Sequence, residues 1–155
     1  MGKIGFSQIR QETLKLRFQG SVEPKGIERI ELLGIQCPMN AKTSIRVVLW
    51  TRPPIGPLVG AGFRLSSLPG CCGVLVSHES YVTQALQRRG LGLLMQEMKE
   101  FIAREYRVGK MIATVLQGNK AEETLLLKTG WRPGVAFRNR RTDNLIVEWE
   151  KTFTY

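Results

Sequence analysis

The stretch YVTQALQRRGLGLLMQEMKEF, residues 81–101, decides the fold, because a strand-like run changes here into an amphipathic helix across two arginines and two glycines. From position 91 onward, apolar residues recur at steps of three and four, at positions 91, 94, 95, 98, 101, 102 and 106. This spacing is typical of a helix that buries one face. The polar residues between them are expected to fill the other face: Gln96, Glu97, Lys99, Glu100 and Arg104.

The two glycines and two arginines lie where this helix is predicted to begin. The first backbone N–H groups of a helix have no acceptor within it, and their dipoles sum to a partial positive charge. Gly90 and Gly92 would leave these N–H groups accessible to a ligand. Arg88 and Arg89 add positive charge beside them. The turn is therefore predicted to bind a phosphate or pyrophosphate group.

Two common phosphate-binding patterns do not match this turn. The P-loop pattern needs a lysine followed by a hydroxyl residue, and the dinucleotide-binding pattern needs a third glycine where Met95 stands. The residues QRRGLG, 87–92, instead fit the pattern Q/R-x-x-G-x-G/A and so resemble the GNAT superfamily, the acyl-CoA-dependent N-acyltransferases. The stretch GNKAEETLLLKTGW, 118–131, also resembles this family, which often has an asparagine before a short helix that ends in glycine and an aromatic residue.

The resemblance implies an α+β fold with a central mixed, mostly antiparallel, twisted sheet, flanked by helices and with splayed central strands. The length of the chain agrees with a single domain over residues 1–155. Residues 7–34 have a mainly helical pattern, and the prolines within 51–57 indicate a connection between strands. A helix from Asn119 to Lys128 is predicted to be capped by Asn119 and followed by a left-handed Gly130.

The strand predictions agree with this architecture. The first three strands are expected to form an antiparallel meander, and the strand, helix, strand passage that follows favours one parallel pair. Strand-like runs occupy residues 45–50, 58–67, 73–82, 110–117, 134–140 and 145–153.

The resemblance also implies a co-substrate, acetyl-CoA, and the residues that hold it. The pantetheine arm would pair with the strand edge before the turn, and the N–H near Val82 would polarise the thioester carbonyl. Two simpler interpretations stay open: Val82 ends a core strand, and Asn119 only caps its helix. The residues that the resemblance assigns to coenzyme binding are Tyr81, Val82, Thr83, Gln87, Arg88, Arg89, Gly90, Leu91, Gly92 and Asn119.

The catalytic candidates are His78 and Glu79. A protonated amine must lose a proton before it attacks a thioester, and several relatives place a His or Glu on this strand to accept it. His78 lies four residues before Val82 and is expected to face the same way, whereas Glu79 points oppositely unless a bulge intervenes. A structural role for a lone histidine is the competing interpretation.

One position departs from the family pattern. Many relatives have a tyrosine directly after the leucine that corresponds to Leu125, where it acts as the general acid toward the coenzyme A sulfur. Leu126 stands there in this sequence and cannot donate a proton. The general acid is therefore missing or supplied by another group, such as Tyr81, Tyr106 or solvent.

The composition limits the remaining choices. The net charge of +10 favours anionic partners in general. Three cysteines and a single histidine match neither a disulfide framework nor a zinc spacing, so no metal site is expected. No apolar run is long enough to span a bilayer, and we expect a cytoplasmic protein without a membrane partner.

The leading hypothesis is an N-acyltransferase that moves acetyl from acetyl-CoA to an amine acceptor, a small molecule or a macromolecule. The competing hypothesis is a catalytically weak acyl-CoA-binding or nucleic-acid-associated module on the same scaffold. The basic charge leaves nucleic acid open as a partner, and a homodimer is also left open. The arginines that would dock on RNA or DNA are Arg132, Arg138, Arg140 and Arg141.

Overall fold

The computed structural model describes residues 27–33, 44–51, 59–68, 70–71 and 73–155. A short 3-10 helix, Gln84–Leu86, precedes the first α-helix of these residues. Their strands and α-helices are, in chain order, β1 (Ile27–Leu33), β2 (Ser44–Thr51), β3 (Val59–Ser67), β4 (Val74–Val82), α1 (Leu91–Glu105), β5 (Lys110–Leu116), α2 (Lys120–Lys128), β6 (Arg132–Arg138) and β7 (Leu145–Thr152).

The strands of the described residues form one sheet in the order β1-β2-β3-β4-β5-β7-β6. Strands β1 to β4 are an antiparallel meander, and β5, β7 and β6 also pair antiparallel. Only β4 and β5 are parallel among these pairs, because α1 carries the chain back over the sheet between them. The predicted fold class, a mixed and mostly antiparallel sheet with flanking helices, is confirmed.

The helical interpretation of residues 7–34 is wrong at its C-terminal end. Residues Ile27–Leu33 form β1 and pair antiparallel with β2, with Ile30 opposite Leu49. A short apolar run of this kind fits the spacing of a helix and that of a strand about equally. Backbone hydrogen bonding to a strand distant in sequence then decides which of the two forms. The rest of that segment and the proline-rich residues 52–58 lie outside the described residues.

The hydrophobic core lies between one face of the sheet and α1, which packs on β3 and β4. Alternate residues of the strands point into it, and each buried aliphatic side chain contributes about 1.5–3 kcal/mol. The sheet contributes Ile45, Val47, Leu49, Ala61, Phe63, Leu65, Leu75, Met111, Ala113, Val115 and Trp149, and α1 contributes Leu91, Leu94, Met95, Met98 and Ile102. The apolar stripe predicted for α1 is thus the buried one.

The ends of α2 follow their predicted local signals. Asn119 Oδ1 accepts a hydrogen bond from Glu122 N at 3.4 Å, so this residue caps the helix. Gly130 has φ of 82°, the left-handed conformation that ends many helices. These two signals set the length of α2 and bring Trp131 back into the core.

Candidate active site

Strands β4 and β5 separate before they end. They pair from Val74 opposite Lys110 to Ser77 opposite Ala113, although β4 continues to Val82. A cavity of about 220 Å³ lies where the two strands diverge. It is lined by both strands, by α1, by α2 and by Trp131. The splayed central strands that the resemblance implies are therefore present.

A β-bulge lies in β4 beside this cavity. Across the β3–β4 ladder, Tyr81 is opposite Gly62 and His78 is opposite Arg64, so β4 has one residue more than β3 over this interval. Glu79 within it has φ of 54°, a left-handed conformation that is uncommon for a residue other than glycine. An extra residue in one strand bends that strand and reverses the alternation of its side chains.

The bulge corrects the expected orientation of His78. Val82 is opposite the buried Ala61 and packs against the core, whereas Tyr81 is opposite Gly62 on the other face. Because β4 has one extra residue between His78 and Tyr81, His78 lies on the same face of the sheet as Tyr81 and not on the face of Val82. The prediction that His78 and Val82 face the same way is therefore wrong.

His78 and Glu79 lie side by side at the edge of the cavity. Nε2 of His78 shares a hydrogen bond of 2.8 Å with Oγ of Ser66. Its other ring nitrogen, Nδ1, is 3.8 Å from Oε1 of Glu79, and Oε2 of Glu79 is 3.3 Å from Nε of Arg64. The imidazole is thus held between a hydroxyl and a carboxylate, an arrangement that can fix its orientation.

A second, larger cleft of about 730 Å³ lies between the glycine turn and α2. All the residues predicted to bind the coenzyme line it except Thr83 and Arg89. Thr83 uses its N–H in a 2.8 Å bond to the carbonyl of Gly60. Arg89 is exposed. Arg88 and Lys128 supply positive charge to the cleft wall.

The backbone of the turn is left-handed at two positions. Arg88 and Gly90 both have positive φ, 61° and 77°, and Gly90 is the N-cap of α1. A Cβ added to Gly92 would lie 3.0 Å from Cδ2 of Leu125. Gly92 therefore also lets Leu125 of α2 approach the first turn of α1 closely, and both residues line the cleft.

The predicted polar face of α1 is wrong at two positions, because Gln96 and Lys99 are both only 2% exposed. Nζ of Lys99 donates a 2.9 Å hydrogen bond to Oγ of Ser80 in β4 and lies 5.2 Å from the ring centre of Phe63. Burial lowers the pKa of Lys99 from 10.5 to about 8, and the negative charge of Glu122 partly opposes this.

Sequence reasoning missed Lys99, although its spacing was a usable signal. Lys99 stands four residues after Met95 and three before Ile102, which places it within the apolar stripe of α1. A lysine at such a position is either buried or disrupts the packing, so it could have been noted as a candidate.

The cavity between the diverging strands β4 and β5, called the splay cavity from here on, also contains buried polar atoms. Within the part of the chain that the structure describes, Gln96 Oε1 and Trp131 Nε1 have no hydrogen-bond partner, and both residues line the cavity. Buried polar atoms are nearly always paired in folded proteins, so these two atoms mark a place that suits a polar ligand. Leu126, 1% exposed, contributes an apolar wall of the same cavity.

Among residues 27–33, 44–51, 59–68, 70–71 and 73–155, no cluster of three or more His, Cys, Asp or Glu side chains could hold a metal ion. Neither α-helix of the described chain has the length and apolar character needed to cross a membrane.

No protein-family model and no curated protein matches the sequence. Solved structures, however, share its fold. An IAA acetyltransferase from Bacillus cereus superposes with a TM-score of 0.62 at 14% identity, over 71% of this chain and 78% of the other. A Bacillus subtilis acetyltransferase in complex with CoA gives 0.56 at 14% identity, over 72% and 78%. The ribosomal-protein-S18-alanine N-acetyltransferase from Escherichia coli gives 0.59 at 14% identity, over 76% and 72%. The chain therefore has the GNAT fold.

Proposed function

We propose that this chain is an acyl-CoA-dependent N-acyltransferase of the GNAT superfamily, and that it transfers acetyl from acetyl-CoA to an amine in a ternary complex. One observation carries the proposal: the cleft at the glycine turn and the splay cavity are neighbours that share part of their lining. Both are lined by Ser80, Gln96, Lys99, Asn119 and Glu122. A ligand whose phosphates bind at the glycine turn would thus place its other end in the splay cavity.

The residues of the cleft suit coenzyme A. The N-terminus of α1 together with Arg88 and Lys128 offers N–H groups and positive charge to a pyrophosphate. Any side chain at Gly92 would narrow the cleft at this point. The B. subtilis acetyltransferase of the same fold was solved with CoA bound. Bound acetyl-CoA would supply an activated acyl group, and the chain would supply orientation and proton transfer.

The pantetheine arm is proposed to run along the free edge of β4. This edge begins after Ser77, where pairing with β5 stops, and it continues past the bulge to Val82. Unpaired main-chain groups at a strand edge bind an extended ligand as another strand would. A main-chain N–H near Val82 would then polarise the thioester carbonyl.

His78, assisted by Glu79, is proposed to accept the proton that the acceptor amine must lose. His78 is partly exposed and borders the splay cavity, so solvent can carry the proton away. A general base of this kind contributes about 10²–10⁴-fold to a rate. The acceptor would be a small molecule or a macromolecule. Since acyl-CoA is an intracellular substrate, we place the protein in the cytoplasm.

A second candidate function is a weak acyl-CoA-binding or nucleic-acid-associated module. Two observations favour it: Leu126 provides no acidic proton in the cavity, and β6 and the turn after it expose four arginines. These are Arg132, Arg138, Arg140 and Arg141. Exposed arginines would bind phosphate backbones with an affinity that falls as salt rises.

Two measurements distinguish these functions. Acetyl-CoA should raise the melting temperature of the protein, because a ligand that binds only the folded state stabilises it. The bound protein should then release coenzyme A thiol with at least one member of an amine panel. Stabilisation without thiol release on any amine would favour the binding module, and no stabilisation would refute both coenzyme proposals.

A further inference from the structure

Lys99 is a buried cation at the junction of the two cavities. It is 2% exposed and lines both the cleft and the splay cavity. Among the described residues, Ser80 Oγ is the hydrogen-bond acceptor of its Nζ, and no carboxylate lies within ion-pair distance. A buried charge without an ion-pair partner is costly. The fold therefore keeps a cation here at the expense of stability.

The leaving sulfur of the proposed reaction needs a proton at this junction. Leu126 borders the same cavity but cannot donate one. Tyr106 lies at the C-terminal end of α1 and lines neither cavity. Tyr81 lines the cleft but not the splay cavity that Leu126 borders, and its hydroxyl lies close to Gly62. Of the cationic and phenolic groups in the described residues, Lys99 is thus the one that is buried beside Leu126.

We propose that the Lys99 ammonium is the proton donor to the coenzyme A sulfur, with Ser80 as the residue that positions it. This inference rests on the proposed acyltransferase function and assigns a residue to the role of general acid, which Leu126 cannot fill. An ammonium has three N–H donors, so Lys99 can hold Ser80 with one and still reach the sulfur with another. Ser80 is exposed to the cleft, which gives this pair access to both ligand and solvent.

The proton balance of the step is complete. The amine nitrogen forms a bond to the acyl carbon, the carbon–sulfur bond breaks, and its electron pair goes to sulfur. Lys99 gives a proton to sulfur and becomes a neutral amine, while the former amine nitrogen loses its extra proton to His78 or to water. Lys99 then regains a proton from water, and His78 releases to water the proton that it accepted, so both residues return to their starting states. The net change is amine and acyl thioester to amide and thiol.

The acidity of Lys99 suits this transfer. Its pKa of about 8 is close to the value of about 8.5 that is usual for a thiol, so the proton passes between groups of similar affinity. An ordinary lysine near 10.4 would hold its proton too tightly. The charged and titratable groups that line the two cavities around it are Glu122 and Lys128 of α2, His78, Glu79 and Tyr81 of β4, and Arg88 of the turn.

The decisive variant is Lys99→Met, which removes the proton and keeps the length and apolar stem of the side chain. We expect its dissociation constant for acetyl-CoA to stay within about threefold of the parent, while kcat falls by about 10²–10⁴-fold. The matched control is Lys120→Met, since the side chain of Lys120 is 84% exposed and outside both cavities. The control should keep both parameters.

A second readout does not depend on turnover. The thiol of bound coenzyme A can be titrated by the ultraviolet absorbance of its thiolate. A nearby ammonium favours the thiolate, so in the parent protein the pKa of the bound thiol should lie below the usual value of about 8.5. In Lys99→Met the pKa of the bound thiol should be higher than in the parent by at least about one unit. An unchanged thiol titration, or an unchanged kcat, in Lys99→Met would overturn the proposal.

Lys99→Arg separates proton donation from simple positive charge. Arginine keeps the charge but does not deprotonate in proteins. We expect kcat to fall nearly as far as in Lys99→Met, whereas full activity in Lys99→Arg would show that charge alone suffices and would refute proton donation. A parent protein that neither binds acetyl-CoA nor releases thiol would refute the underlying function instead, so the two failures are distinguishable.

Discussion

Lys99→Met should stabilise the folded protein, because it removes a charge that the fold buries. A pKa lowered from 10.5 to about 8 means that the protonated lysine costs about 3 kcal/mol at about pH 7, at about 1.4 kcal/mol per pKa unit. The lost hydrogen bond to the exposed Ser80 offsets about 1 kcal/mol of this gain. The variant should therefore be more stable than the parent by about 2–3 kcal/mol.

The pH dependence of this difference follows from the sign of the pKa change. Between about pH 8 and pH 10.5 the unfolded lysine binds a proton that the folded one has released, so the stability of the parent rises with pH through this interval. At about pH 10 the remaining cost of Lys99 is about 1 kcal/mol, and the advantage of the variant should nearly vanish. Other lysines and tyrosines titrate alike in both proteins and cancel in the difference.

Urea unfolding of the parent, Lys99→Met and Lys120→Met at about pH 7 and about pH 10 measures this effect. The control should track the parent at both values of pH. An advantage of Lys99→Met that is absent at about pH 7, or equally large at about pH 10, would contradict the argument that Lys99 is buried with a lowered pKa.

Three further predictions concern the proposed site. Gly92→Leu should abolish the acetyl-CoA thermal shift, since even one added carbon would lie 3.0 Å from Leu125 Cδ2; a parent-like shift would exclude the turn as the coenzyme site. His78→Gln should lower kcat by about 10²–10⁴-fold in steady-state assays and leave coenzyme affinity unchanged; parent-like kcat would remove it as the base. Asn119→Ala should cost about 1 kcal/mol of stability in urea unfolding, through loss of its bond to Glu122 N; a stability equal to the parent's would mean that the cap contributes nothing.

The local parts of this structure could be predicted from the sequence. The stripe of α1, the cap at Asn119 and the left-handed Gly130 depend on neighbours within a few residues, and all three are confirmed. The same holds for the position of the glycine turn directly before α1, which follows from its own residues. These signals, with the resemblance of residues 87–92 and 118–131 to one family, were enough to predict the fold class.

Contacts between distant segments decided what the sequence left open. Residues Ile27–Leu33 form a strand because they pair with β2. The orientation of His78 depends on the one extra residue that β4 has relative to β3. Periodicity alone cannot detect either effect. Lys99 is buried because β4 and Phe63 cover its side of α1, a contact between elements far apart in the chain. The sequence by itself thus determined the two α-helices and the glycine turn before α1, whereas the tertiary structure decided which polar side chains meet in the splay cavity, since that depends on register and packing between distant strands and helices.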